Sequence, residues 1–124
     1  MNLEEELLSL KDMFPAALEN KLVEWNAKHA KLSLLWAESN AEFKSMSDRK
    51  NDILAKLTHQ AEGKSNVEKE RNARLSDEWE NYRLAVATLG KKTLSLKVKY
   101  DISIRTYETI RSLLSSKNCE RRFT

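Results

Sequence analysis

Residues 75–114 read LSDEWENYRLAVATLGKKTLSLKVKYDISIRTYETIRSLL. Counted from Leu75 in alternating steps of four and three, this stretch places apolar side chains at nearly every step, with two small hydroxyl residues as the exceptions. These positions, here called the C-terminal seam, are Leu75, Trp79, Tyr82, Val86, Leu89, Thr93, Leu96, Tyr100, Ser103, Tyr107, Ile110 and Leu114. Such a sustained four-three repeat is typical of a long helix that packs against another helix.

A second run with the same spacing lies earlier in the chain. This N-terminal seam comprises Leu18, Leu22, Trp25, His29, Leu32, Trp36, Ser39, Phe43, Met46, Lys50, Ile53 and Leu57. Between the two seams, Gly63 is suited to the left-handed conformation that closes helices, and residues 65–68, SNVE, form a capping box that opens a new helix. The sequence therefore predicts a long antiparallel helical hairpin, coiled-coil-like, that turns near residue 66.

The two seams agree in register if the chain folds back about residue 66, because paired residue numbers then sum to 132. The predicted pairs include Leu18–Leu114, Leu22–Ile110, Trp25–Tyr107, Phe43–Leu89 and Leu57–Leu75. The same register places Ser39 opposite Thr93 and His29 opposite Ser103, so polar seam residues face polar ones. Lys50 opposite Tyr82 is the least matched pair.

Strand signals are absent, since no stretch alternates apolar and polar residues and no Asn-Gly or Asp-Gly turn occurs. We expect one all-α domain over residues 1–124, with a short helix at 2–14, long helices at 15–61 and 66–117, and a basic tail at 118–124. Pro15 suits the first turn of a helix. Gly90 costs about 1 kcal/mol in a helix interior relative to Ala, but the seam stays in phase across it, so we expect a continuous or slightly kinked helix.

Several apolar residues lie off the seams and widen the apolar face of each helix: Leu34, Leu35, Leu84, Leu94, Ile102, Ile104 and Leu113. A two-helix hairpin cannot bury so wide a face by itself. The short first helix would cover part of it. We therefore expect a homo-oligomer in which protomers form a helical bundle, whose number of chains the sequence does not give.

The formal net charge of +3 hides an uneven distribution. Residues 91–124 hold nine Lys/Arg against three Asp/Glu, a net of +6, so residues 1–90 carry −3. A basic end of this kind suggests an anionic partner. Candidate phosphate contacts are Lys92, Lys97, Lys99, Arg105, Arg111 and Lys117. The alternative interpretation of the same charges is a solvated helix surface, or ion pairs between protomers.

Other classes of function have little support in the sequence. No apolar run approaches the roughly 18 residues of a membrane span, and the start, MNLEEELLSL, is acidic where a secretory signal is basic, so we expect a cytoplasmic protein without a membrane partner. His29 and His59 belong to no metal-binding pattern, and Cys119 is the single cysteine. Glycine-rich phosphate loops and nucleophile constellations are absent as well. We expect no catalytic residue, metal or cofactor.

Two stretches carry a resemblance to a known group: SNVEKERNARLSDEW at residues 65–79 and YETIRSLLSSK at residues 107–117. Over about residues 65–120 the chain resembles small helical proteins from the early regions of tailed phages, encoded near single-strand annealing or recombinase genes. The group includes, more distantly, recombination mediators. The resemblance implies an oligomeric, non-enzymatic accessory protein in the bacterial host cell that binds single-stranded DNA and contacts a recombinase or annealing protein.

Two hypotheses of function, from different classes, follow. The first is a helical-hairpin oligomer that binds single-stranded DNA through its basic C-terminal helix and assists phage recombination or replication. The second is a helical protein-interaction module, such as a phage inhibitor, adaptor or assembly scaffold, with no nucleic-acid role. A third and weaker hypothesis is an enzyme subunit that lacks an active site of its own.

Overall fold

The computed structural model describes residues 3–123, and side chains for residues 4–120. Over the described range the chain forms helices and turns and no strand, which confirms the all-α prediction. In chain order, the elements are α1 (Leu3–Ser9), a 3-10 turn (Leu10–Asp12), α2 (Pro15–Asp48), α3 (Lys50–Gln60), α4 (Asn66–Arg74) and α5 (Asp77–Phe123).

The predicted helix at 2–14 is shorter than expected. It is α-helical to Ser9 and continues as the 3-10 turn to Asp12, while residues 13 and 14 are not helical. A residue that precedes proline is disfavoured in the α conformation, and Pro15 begins α2 as predicted. Asn2, the first residue of the predicted helix, lies outside the described residues.

The prediction of one helix over residues 15–61 is wrong, because Arg49 separates α2 from α3. The hydroxyl of Tyr82 donates a hydrogen bond to the carbonyl oxygen of Met46. In an uninterrupted helix that oxygen would accept from the amide of Lys50. The helix resumes at once, since the amide of Ile53 donates to the carbonyl of Arg49 at 2.9 Å.

The prediction of one helix over residues 66–117 is also wrong, because Leu75 and Ser76 separate α4 from α5. The Ser76 hydroxyl accepts a hydrogen bond from the amide of Trp79 at 3.3 Å and donates to the carbonyl of Ala73 at 2.6 Å. Ser76 thus caps the start of α5, whose first turn is acidic as helix dipoles favour. At the other end α5 runs to Phe123, so the predicted tail at 118–124 is helical over 118–123. The side chains of residues 121–124 lie outside the described part.

The turn between α3 and α4 is built differently from the prediction. Gly63 is not left-handed; instead, a Cβ added at Gly63 would lie 3.0 Å from the backbone nitrogen of Lys69, so glycine permits a close approach. The N-cap bond of the predicted capping box is present, since the amide of Glu68 donates to the Ser65 hydroxyl at 3.2 Å, but the return bond of Glu68 goes to the residue before the N-cap. The Glu68 carboxylate reaches back to the amide of Lys64 at 3.1 Å.

Contacts divide the chain into two compact units. The first unit comprises residues up to Leu35 and from Leu96 onward, and its core is formed by buried Leu10, Leu18, Trp25 and Ile110. The half-buried residues packed on this core are Leu7, Met13, Leu22, Tyr107, Leu113 and Leu114. All six members of the predicted pairs between 18–25 and 107–114 therefore belong to one cluster, to which the N-terminal segment adds Leu10.

Glu6 ties α1 to α2 within the first unit. Its Oε1 accepts hydrogen bonds from Trp25 Nε1 and Lys21 Nζ, each at 3.1 Å. Burial of the carboxyl opposes ionisation, but these two donors outweigh it and lower the pKa of Glu6. The same contact raises the pKa of Lys21. Glu6 thus holds α1 against α2, in addition to its place in the acidic first turn of α1.

His29, also in the first unit, contacts the rings of Tyr100 and Tyr107, which flank Ser103 along α5, as the predicted register requires, but among the described side chains it forms no hydrogen bond with Ser103. Its ring lies 5.5 Å from the ring of Tyr107, centroid to centroid, and its Nε2 is 3.1 Å from Asn26 Oδ1. The buried Ser103 hydroxyl donates to the carbonyl of Tyr100 at 2.6 Å in its own helix. A serine hydroxyl in a helix can donate to a backbone carbonyl of the same helix, so Ser103 needs no hydrogen bond with His29.

The second unit spans Trp36–Ser95 and confirms the register at one layer. The hydroxyls of Ser39 and Thr93, both buried, lie 2.7 Å apart. The predicted Leu57–Leu75 pair is wrong, because Leu75 lies in the break before α5 and is 77% exposed.

Gly90 also lies in the second unit, within the uninterrupted helix α5, as expected. A Cβ at Gly90 would lie 3.0 Å from Cε2 of Phe43. This glycine therefore serves close packing of an aromatic ring against the helix backbone, and no break is needed to explain it.

Candidate nucleic-acid interface

Three of the predicted phosphate contacts, Lys99, Arg105 and Arg111, are exposed on the part of α5 that belongs to the first unit. Among the described residues no carboxylate lies within the 4.0 Å ion-pair distance of any of them. Lys92 is likewise exposed, on the part of α5 in the second unit. These side chains are available to an anion in solution.

The three cations do not form a single row. Successive members are six residues apart, which corresponds to about 9 Å along an α-helix and about 240° around it. The structure therefore brings them to one helix without bringing them to one face. An extended, flexible polyanion can follow such a path, whereas a flat or compact anion would touch one cation at a time.

Lys97 is less available than the sequence suggested. Its ammonium lies 3.3 Å from Asp101 Oδ1, one helical turn away, and 5.4 Å from the centroid of the Tyr100 ring. The side chain is half-buried. A phosphate would compete with both contacts for this ammonium, although an exposed ion pair of this spacing is worth only about 0.3–0.5 kcal/mol.

Lys117 has an intramolecular role. Its ammonium donates to the carbonyl oxygens of Lys11, at 2.9 Å, and of Met13. These carbonyls lie within the 3-10 turn and directly after it, where helix ends leave acceptors without partners. The sequence contains the relevant spacing, because Lys117 stands three residues after Leu114 and so continues the C-terminal seam. A phosphate contact at Lys117 would have to displace these bonds.

Lysines of α2 also contribute to the first unit, which sequence reasoning missed. Lys28 and Lys31 join Lys99 around an open groove of about 500 Å³ whose remaining lining is Trp25, Leu32, Leu35 and Ile102. Lys28 lies 3.1 Å from Glu24, which lowers the pKa of that carboxyl through a hydrogen bond.

No cluster of metal ligands emerges from the described side chains. His, Cys, Asp and Glu residues in that part of the chain form no group of three that could hold a metal ion. Cys119 is exposed and has a free thiol. None of the helices within the described range has the length and apolarity to cross a membrane.

Comparison of the chain with protein families, curated proteins and solved structures finds no match. Function must therefore be argued from the geometry.

Proposed function

We propose that this protein is a non-enzymatic accessory protein that binds single-stranded DNA and assists phage recombination or replication in the host cytoplasm. One observation carries the binding part: Lys99, Arg105 and Arg111 are exposed on one helix without a carboxylate in ion-pair distance among the described residues. Cations spaced along and around a helix suit a flexible single strand better than a rigid duplex groove. The recombination part rests on the resemblance of residues 65–120.

Variants of the three cations test the binding part. Lys99→Gln, Arg105→Gln and Arg111→Gln should each weaken binding of a fluorescent thymidine oligonucleotide, measured by anisotropy at low salt, roughly two- to fivefold, the equivalent of about 0.5–1 kcal/mol per phosphate contact. Lys44→Gln is the matched control, since Lys44 is an exposed lysine of α2 in the second unit. Equal losses in the control and the test variants would show that only net charge matters.

We also propose that protomers associate through apolar side chains that each unit leaves exposed. In the second unit Leu84 and Leu94 of α5 are 56% and 65% exposed, and in the first unit Leu34 of α2 is 61% exposed. Exposed leucines repeated along a helix are typical of helix–helix interfaces. Light scattering should give a mass above 14.4 kDa, and Leu84→Glu with Leu94→Glu should lower it. A monomer in the unaltered protein would contradict this proposal.

A second candidate function is a helical protein-interaction module. The apolar groove of the first unit favours it, because Trp25, Leu32 and Leu35 form an apolar floor beside three lysines. That combination suits an amphipathic helix with acidic flanks, supplied by a recombinase, an annealing protein or another partner. A random peptide library selected on the protein should then yield apolar anchors next to Asp or Glu, and Leu35→Glu with Lys31→Glu should abolish their binding. Enrichment of basic peptides would exclude this candidate.

A further inference from the structure

A pocket in the second unit combines aromatic rings with cations. It has a volume of about 360 Å³ and lies between the end of α2, the start of α3 and the first half of α5. Its lining is Phe43, Ser47, Lys50, Trp79, Tyr82, Arg83, Val86, Ala87 and Gly90. Sites for small organic ligands have volumes of about 300–1,000 Å³, so the pocket is large enough for a planar group with several ring atoms.

The aromatic rings of this pocket are held in place. Trp79 and Tyr82 lie 5.5 Å apart, centroid to centroid, with an interplanar angle of 31°. The Tyr82 hydroxyl donates a hydrogen bond to the Met46 carbonyl, and Trp79 is 6% exposed, so its ring is confined by the residues packed around it. Ring positions fixed before a ligand arrives reduce the entropy lost on binding.

Gly90 shapes the wall formed by Phe43. Because a Cβ at Gly90 would lie 3.0 Å from Phe43 Cε2, any larger residue would push this ring from its place. Glycine costs about 1 kcal/mol in a helix interior relative to Ala. A residue that costs helix stability but positions an aromatic wall is consistent with a pocket that is used.

Both charged residues that line the pocket are positive. Lys50 and Arg83 line it and are exposed, and no carboxylate is among the lining residues. In the part of the chain that the structure describes, neither cation has a carboxylate within ion-pair distance. Lys50 and Tyr82, the least matched pair of the two seams, thus both line this pocket and supply it with a cation and an aromatic ring.

We propose that this pocket binds one base of a single-stranded nucleic acid against Phe43 and Tyr82, while Arg83 and Lys50 contact the flanking phosphates. Aromatic platforms beside a positively charged path are how proteins hold single strands without reading their sequence. An acidic peptide would use the two cations but gain little from three rings. The choice of ligand rests on the proposed function, whereas the pocket itself is independent of Lys99, Arg105 and Arg111.

The test compares two oligonucleotides of equal length, one of thymidines and one whose central positions are abasic, on the full-length protein. The thymidine oligonucleotide should bind at least fivefold more tightly, since stacking of a base on an aromatic side chain has an effect of that size or larger. The variant Phe43→Leu should lose this preference while retaining the affinity for the abasic strand. Arg83→Gln should weaken both strands equally, and Arg71→Gln, an exposed arginine of α4, is its matched control.

Each outcome is decisive. Equal binding of both strands by the unaltered protein, with Arg105→Gln and Arg111→Gln still weakening it, would overturn the pocket and leave the proposed function standing. Failure of the unaltered protein to bind either strand would overturn both. Circular dichroism identifies a Phe43→Leu variant that does not fold. Photocrosslinking of an iodouracil-containing oligonucleotide to the unaltered protein then decides, with adducts expected at Phe43 or Tyr82 and adducts elsewhere counting against the pocket.

Discussion

Thr93→Val should destabilise the protein more than Ser39→Ala, although both remove the same hydrogen bond. The two hydroxyls are 2.7 Å apart, and their residues are only 4% and 7% exposed. Thr93 Oγ1 also lies 2.8 Å from the carbonyl of Leu89, to which it donates. The Thr93 hydroxyl has a further acceptor in the carbonyl of Ser39 at 3.3 Å. When Thr93 donates to one of these carbonyls, it accepts from the Ser39 hydroxyl, and it keeps a partner when Ser39 is replaced by Ala.

The magnitudes follow from that asymmetry. Ser39→Ala removes one hydrogen bond and should lower the free energy of unfolding by about 0.5–1 kcal/mol. Thr93→Val leaves a buried Ser39 hydroxyl without its acceptor and should cost about 1–3 kcal/mol. The double variant has no orphaned group, so its loss should fall short of the sum of the single losses by about 1 kcal/mol.

Urea denaturation followed by far-ultraviolet circular dichroism measures these losses. The exposed residues Ser45 of α2 and Thr88 of α5 provide matched controls, and Ser45→Ala and Thr88→Val should change stability by no more than about 0.5 kcal/mol. Additive losses in the double variant would refute the pairing and with it the register of the second unit, whereas equal losses in the two single variants would refute the direction assigned to the bond.

Three other substitutions have defined outcomes. Glu6→Gln should lower the free energy of unfolding by about 1–2 kcal/mol at neutral pH, measured by urea denaturation. The pKa of the Glu6 carboxyl is lowered from 4.5 in the folded protein, so the difference in stability between the two proteins should be present above pH 4.5 and vanish as the pH falls through the folded pKa. A difference that stays constant with pH would contradict this. Ser76→Ala should lower stability by about 1 kcal/mol through loss of the α5 cap, and an unchanged urea midpoint would count against that cap. Lys117→Gln should lower stability by about 1 kcal/mol yet leave oligonucleotide affinity within about twofold, and an affinity loss equal to that of Arg105→Gln would show that Lys117 contacts phosphate.

Seam spacing predicted several of the contacts between the two long helices, although the Leu57–Leu75 pair was wrong. The Ser39–Thr93 contact and the cluster around Trp25 and Ile110 follow from one fold-back point. Repeat patterns succeed here because burial of a helix face is a property of the whole repeat and tolerates single mismatches.

The helix breaks were not predicted, because each depends on one polar contact. The Tyr82 hydroxyl bonds the Met46 carbonyl and interrupts the backbone hydrogen bonds of the helix there, and Ser76 caps a new helix after Leu75. The second of these had a sequence signal: serine followed by Asp77 and Glu78 is a common start of a helix. The break after Met46 had no signal in the sequence, because the carbonyl that the Tyr82 hydroxyl reaches depends on how the helices pack.

The candidate site was predicted in part. Exposure of Lys99, Arg105 and Arg111 agrees with their positions beside or opposite the seam. The bond from Lys117 to the N-terminal segment joins residues about a hundred positions apart, and the pocket at Phe43 and Tyr82 requires two helices at once. Such long-range juxtapositions are properties of the fold and are not visible in local spacing.

The salt dependence of oligonucleotide binding tests the central claim most directly. The three phosphate contacts of α5 contribute about −2 to the slope of the logarithm of the association constant against the logarithm of salt concentration, equivalent to roughly a 20-fold loss between about 50 and 200 mM. Phosphate contacts at Lys50 and Arg83 make the slope of the unaltered protein steeper. The variant that combines Lys99→Gln, Arg105→Gln and Arg111→Gln should have a slope that is smaller by about 2. A slope near zero in the unaltered protein, or the same slope in the triple variant, would contradict binding through these residues of α5.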